Sequence, residues 1–93
     1  MAESFISLKV KKFSEYYQKL PKEVKQAAVK AFKLFMHNPF HPSLHFKCVD
    51  RRRNVWSIRI TINYRALCYR EGNKLYWFWI GNHEDYEQEL KKL

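Results

Sequence analysis

Glycine is nearly absent. Gly72 and Gly81 are the only two in 93 residues, too few for a glycine-rich phosphate loop or a nucleophile elbow, and this argues strongly against ATP-dependent chemistry. Acids are also scarce, nine against 18 lysines and arginines, and Glu84, Asp85, Glu87 and Glu89 crowd the last ten residues. A lone Asp50 or Glu71 in a turn does not make a carboxylate pair, which argues against glycosidase or two-metal hydrolysis. Cysteine occurs twice. Cys48 and Cys68 fall in separate expected strands, so two reduced thiols are expected and no disulfide. No apolar run approaches membrane-spanning length, and the opening MAESFISLKV lacks the basic lead and apolar stretch of a signal peptide. The expected location is the cytoplasm, with no membrane partner.

The sequence is rich in apolar side chains and in positive charge. Hydrophobic residues make up 46% and aromatics 17%, with a formal net charge of +9. That composition belongs to a folded domain and not to a disordered basic tail, and at this length one domain over 1–93 is expected. A basic surface of this size attracts phosphates, anionic lipid or an acidic protein, and charge alone does not choose among them.

The clearest pattern runs from Val55 to His83. Trp56, Ile58, Ile60 and Ile62 alternate with Ser57, Arg59 and Thr61, the period of a half-buried strand with one face in the core and the other presenting cations. Tyr64 to Tyr69 and Lys74 to Ile80 read as two more strands, joined through Arg70, Glu71, Gly72 and Asn73. The last run is apolar on both faces, Leu75, Trp77 and Trp79 on one and Tyr76, Phe78 and Ile80 on the other, as in an interior strand. Upstream, Ser4 to Val10 alternates as a first strand whose partner lies elsewhere. Phe13, Tyr16, Tyr17 and Leu20 mark a short helix, and Val24, Ala27, Ala28, Ala31, Leu34 and Phe35 mark a second that begins at Pro21 and ends near Asn38. Leu44 to Val49 reads as a short strand, DRRRN (50–54) as a hairpin tip, and Glu84 to Leu93 as a short helical tail. The fold class is α+β: an N-terminal strand and a two-helix hairpin, packed on Trp56, Ile58, Ile60 and Ile62 of a twisted antiparallel sheet.

Two candidate sites follow. His37, His41 and His45 recur at intervals of four, but Pro39 and Pro42 break the helix that would align them and no cysteine pair or carboxylate stands by, so no metal site is expected. The other set is Lys47, Arg51, Arg52, Arg53, Arg59, Arg65, His83 and Tyr86. Cleaving RNA without a metal needs a base for the 2′-hydroxyl proton, an acid for the departing 5′-oxygen, and cations for the charge growing on phosphorus. Histidine supplies the first two at neutral pH and arginine the third. The residues alone leave a second reading open, in which Arg59 and Arg65 decorate a wet face and Tyr86 packs the tail.

The order of strand, helix hairpin through LPKEV, helix closing on NP, then WSIRITINYRAL and WFWIGNHEDY resembles the RelE/ParE superfamily of type II toxin–antitoxin toxins, in particular its ParE-like branch with W-F-W-I-G-x-H-x-x-Y. The resemblance covers nearly the whole chain. It implies a small basic toxin held by a cognate antitoxin, needing no cofactor. In its RelE-type members it implies mRNA cleavage in the ribosomal A site, with contacts to mRNA and ribosomal RNA. On this sequence the catalytic positions fall on Arg59, Arg65, His83 and Tyr86, with Ser57, Lys47 and Arg51, Arg52 and Arg53 among the RNA- or ribosome-binding positions. Ser57 stands where RelE has a lysine and His83 where it has an arginine. ParE members poison DNA gyrase instead, and an inactive member kept for antitoxin or DNA binding is the third option.

Overall fold

A computed structural model describes residues 4–93. The chain runs β1 (Ile6–Lys9), α1 (Lys11–Gln18), α2 (Lys22–His37), β2 (Lys47–Asp50), β3 (Val55–Thr61), β4 (Tyr64–Glu71), β5 (Lys74–Asn82) and α3 (His83–Lys92), with a 3-10 turn at Pro42–Leu44. The five strands form one sheet in the order β1-β5-β4-β3-β2. All neighbours are antiparallel except β1, which pairs with β5 in parallel, Ile6 against Lys74 through Lys9 against Trp77. The sheet is therefore mixed, and β5 is an interior strand as its two apolar faces required.

The helix hairpin forms where the 3.6-residue period placed it. Pro21 is the N-cap of α2 and not its first turn, and its φ of −58° suits the helix entry. Leu20-Pro21 stops α1, because the residue before proline is pushed out of helical geometry. α1 lies over β5 and α2 over β3. Their inner stripe of Phe13, Ala28, Ala31 and Phe35 joins Ile58, Ala66, Cys68, Leu75, Trp77 and Ile80 in the main core. Leu44 also enters this core, from the 3-10 turn and not from a strand as its sequence suggested.

Three departures bear on function. Ile62 does not reach the core: it is 70% exposed, because β3 ends at Thr61, which pairs with Tyr64, and Ile62 falls in the turn between them. The alternation in β5 changes phase in mid-strand. Leu67 pairs with Trp79 and the next residue, Cys68, with Trp77, leaving Phe78 as an extra residue, a β-bulge. Trp77 and Ile80 consequently face the helix hairpin while Phe78 and Trp79 face the other way. Finally, that other face is covered. The tail forms the ten-residue α3, whose Tyr86 and Leu90, with Leu93 at its C-cap, pack with Val55, Leu67 and Trp79 in a second, smaller core.

Cys48 and Cys68 flank Trp56 from either side. Two strand spacings, roughly 10 Å, separate them, too far for a disulfide. Burial pushes the Cys68 thiol from its usual 9.0 up to about 12, against opposing effects from the Trp56 backbone and the Arg70 charge. At pH 8, alkylation of the native protein is therefore expected to mark Cys48 and spare Cys68. Between pH 9 and 12 the unfolded chain releases a proton that the folded chain retains, so stability falls as pH rises, by up to about 1.4 kcal/mol per unit. Urea midpoints measured across that window should lose this component in Cys68→Ala.

Candidate active site

The two guanidinium groups singled out in the sequence come together. Arg59 on β3 is the register partner of Arg65 on β4, and Arg65 is in turn the partner of Gly81 on β5. Directly opposed residues of an antiparallel pair project from the same face, so two cations stand side by side, an arrangement that costs stability. Among the described residues neither arginine pairs with a carboxylate. Burial and then the charge of Arg59 pull the Arg65 guanidinium below its usual range, with Tyr86 acting in the opposite sense. Two such cations side by side can take an anion.

The β3–β4 turn organises both halves of the site. Arg65 Nη1 donates to the carbonyls of Thr61 (2.8 Å), Tyr64 (3.1 Å) and Ile62 (3.3 Å). These bonds anchor one arm of the guanidinium fork and leave the rest for an anion. The same turn accepts the His83 backbone N–H at Asn63 O, 2.7 Å. His83 opens α3, whose N-cap Asn82 accepts from the Asp85 N–H at 2.8 Å.

The His83 imidazole lies nearly parallel to the Tyr86 ring, with centroids 5.7 Å apart and planes at 21°, and its Nε2 is 3.6 Å from Glu87 Oε1. Tyr86 itself is 9% exposed and packs on Trp79. It serves as the floor of the histidine rather than as an open proton donor. Arg59, Arg65, His83 and Tyr86 therefore gather at one end of the sheet.

The remaining expected positions divide. Lys47 is exposed on the edge strand β2 opposite Ser57, two residues from the Arg59 level. Ser57 is a correction. It shares the cationic face by alternation, but it is 2% exposed, closed off within the sheet face whose neighbours Val55 and Leu67 pack against α3, and it does not belong to a contact surface. Arg51, Arg52 and Arg53 form an exposed tip at the opposite end of β3, and hence are not gathered with Arg59 and Arg65. Four residues of strand from Val55 to Arg59 span about 13 Å.

Two participants were not expected. His45, in the left-handed region at φ 47°, places Nε2 3.4 Å from Arg59 Nη1, and Glu87 meets His83. The helical spacing of His83 and Glu87 is readable once the tail is taken as a helix, whereas the His45 contact depends on a loop path that no periodicity reports. The three spaced histidines take separate roles: His37 ends α2, His41 Nδ1 accepts from the Ser43 N–H at 3.2 Å, and His45 meets Arg59. No group of three metal-ligating side chains occurs among the described residues.

A model of the ParE-like toxin domain matches residues 22–88. The chain belongs to this family. Its structure is similar to RelE in the RelB–RelE complex of Methanococcus jannaschii, with a TM-score of 0.71 at 16% identity over 88% of this chain and 96% of that one. It is also similar to YafQ of E. coli, with a TM-score of 0.69 at 10% identity over 89% and 98% of the two chains. The RelBE2 toxin–antitoxin complex of Mycobacterium tuberculosis matches with a TM-score of 0.67 at 18% identity over 89% and 94%. These likenesses establish the RelE-like α+β fold. No curated protein matches the sequence. No helix among the described residues is long and apolar enough to cross a membrane.

Proposed function

We propose that this ParE-like domain is the toxin of a type II toxin–antitoxin pair and halts translation by cutting mRNA on the ribosome without a metal. The observation that carries the reading is the Arg59–Arg65 pair, two opposed cations with no carboxylate partner among the described residues, beside the turn that bonds Arg65 and the His83 backbone. The pair would grip the scissile phosphate and offset the charge that grows as the 2′-oxygen bonds to phosphorus and the bond to the 5′-oxygen breaks. His83, exposed and braced by Tyr86 and Glu87, moves a proton at one end of that displacement, as base to the 2′-hydroxyl or acid to the 5′-oxygen. With Ser57 buried, no side chain at that position takes part. Lys47 and the Arg51 to Arg53 tip add contacts to ribosomal RNA, and such an activity belongs in the cytoplasm.

The partner is an antitoxin segment carrying acidic and apolar residues. The similar structures from M. jannaschii and M. tuberculosis are toxin–antitoxin complexes. Here Val29 and Met36 on the helix pair are exposed large hydrophobics bordered by lysines, suited to such a segment.

A second reading rests on the ParE-like match itself: a DNA gyrase poison that uses the same basic surface without catalysis. Primer extension on the mRNA of an in vitro translation reaction separates them. New 3′ ends that appear with the wild-type chain and vanish with His83→Ala are expected, with DNA supercoiling unaffected. Blocked supercoiling with intact mRNA would transfer the protein to the gyrase reading, and no growth arrest on expression would make it an inactive member.

A further inference from the structure

α3 does not cover all of the face it packs on. Along β4, Arg65, Leu67 and Tyr69 share that face by alternation. The helix takes Leu67 and Trp79 but leaves Tyr69 38% exposed. The Tyr69 ring stacks on Phe78, with centroids 4.4 Å apart and planes at 24°. Its register partner Tyr76 is half-buried alongside. Phe78 shares the face of Tyr76 by alternation, and the bulge changes the phase only from Trp79 onward. The result is a small open platform of aromatic rings on a sheet.

Beside it stands the arginine tip. Val55 pairs with Tyr69, and the Arg70 N–H donates to Asn54 O at 3.0 Å. The tip therefore leaves the sheet within a residue or two of Tyr69. It is a built turn. Asp50 Oδ1 accepts from the Arg53 backbone N–H at 3.1 Å, and Asn54 Nδ2 donates to Arg70 O at 2.8 Å. Arg51, Arg52 and Arg53 are exposed, with no ion pair to a carboxylate among the described residues.

We infer that this platform and tip form a second nucleic-acid contact, taking unpaired RNA bases on the rings and the adjoining phosphates on the arginines. The inference rests on the reading that the protein works on RNA, but the contact is separate from the cleavage site. Arg65 and Tyr69 are four residues apart on one strand, about 13 Å, and α3 crosses the sheet between them over Leu67. RNA held at the platform is a different stretch from the one presented to His83.

Flat aromatic faces beside unpaired guanidinium groups suit bases and phosphates. Every base offers a ring face for stacking whatever the sequence, and arginine supplies the charge. An amphipathic protein segment fits better at the aliphatic end of the face, where Ile6, Leu8 and Val10 are exposed on and beside β1.

The test is equilibrium binding, by fluorescence anisotropy, of a short unpaired oligouridine RNA and of a duplex RNA of equal length. The full chain carries His83→Ala so that nothing is cut. Tyr69→Leu and Tyr76→Leu keep apolar area and remove the ring. Each is expected to weaken binding of the unpaired RNA by about five-fold or more and to leave the duplex unchanged. Arg51→Ala, Arg52→Ala and Arg53→Ala should weaken both RNAs and flatten the salt dependence. Circular dichroism checks the fold of each variant.

Unpaired-RNA affinity that is unchanged in both tyrosine variants overturns the platform. So does an effect of those variants on capture of the antitoxin but not on RNA, which would mark the face as a protein-docking surface. If the tyrosine variants weaken RNA binding while no mRNA is cut by the wild-type chain, the platform stands and the cleavage reading falls. If the wild-type chain cuts mRNA and the tyrosine variants bind RNA as well as it does, the platform falls and the cleavage reading stands.

Discussion

Arg65→Ala is expected to lower mRNA cleavage by about 100- to 1,000-fold, the usual cost of deleting one preorganised donor to a developing charge. The cause lies in the turn. One nitrogen of the guanidinium is committed to the carbonyls of Thr61, Ile62 and Tyr64, which holds the group in place, and in the proposed reaction its remaining N–H groups would meet the phosphate without reorganisation. Lysine carries the same charge as a single point and cannot bond the turn and a phosphate as a fork does. Arg65→Lys should therefore recover only a minor part of the activity. Loss of the turn bonds also destabilises Arg65→Ala, which complicates a toxicity assay taken alone.

Arg59→Ala resolves that ambiguity through its opposite signs. Deleting one of two facing like charges removes a repulsion of roughly 0.2–1 kcal/mol, so the variant should melt at the wild-type temperature or above it while cleavage falls. Thermal unfolding followed alongside primer extension reads both. An Arg59→Ala protein that is less stable and equally active would mean the pair is structural, and the proposed chemistry would lose its phosphate site.

The second large effect belongs to Gly81. A Cβ built there lies 2.5 Å from Trp79 Cζ2 and 2.9 Å from its Cη2, inside the distance any real contact tolerates. Trp79 has little room to retreat. It is 2% exposed, with Tyr16 edge-on at 6.2 Å and Tyr86 at 6.4 Å. Gly81→Ala must push the indole into those rings, an overpacking cost of about 1–3 kcal/mol. At roughly 4–8 °C per kcal/mol for a domain of this size, the melting temperature should fall clearly. Because Tyr86 is also the floor under His83, activity should drop further than the folded fraction does.

Gly72 is the control. Its φ is +61° and its surroundings are open, so Gly72→Asn, which accepts that backbone, should be nearly silent. Equal losses at both glycines would sink the steric account.

How much of this is legible in the sequence depends on the range of the interaction. The 3.6-residue stripe of α2 and the alternation through Trp56, Ile58 and Ile60 are local and point to the right faces. The pairing of Arg59 with Arg65 is only half legible: a two-residue turn between two recognisable strands would set Arg65 opposite Ile60, and the register shift between Arg59 and Thr61 moves it opposite Arg59. Alternation puts Ser57 on the right face but does not report its burial, on a face where its neighbours Val55 and Leu67 pack with the tail, a strongly charged segment whose Tyr86, Leu90 and Leu93 become one stripe only once it is helical and folded back. The phase change in β5 leaves no signal either. WFWI is apolar in either phase, and no glycine or proline marks Phe78 as the extra residue. Alternation turns Ile62 inward because it does not report that β3 ends one residue earlier, at Thr61. The remoteness of the arginine tip is a matter of geometry: β3 is long enough to carry its two ends out of mutual reach.

The parallel pairing of β1 with β5 has a consequence for how the protein is made. The residues that dock Ile6 to Lys9 lie in β5, so the first strand waits until β2 to β5 have all been translated before the sheet can close. The arginine pair and His83 also belong to that late half. A nascent chain that has not yet released β5 and His83 thus has neither a closed sheet nor the cluster of Arg59, Arg65 and His83.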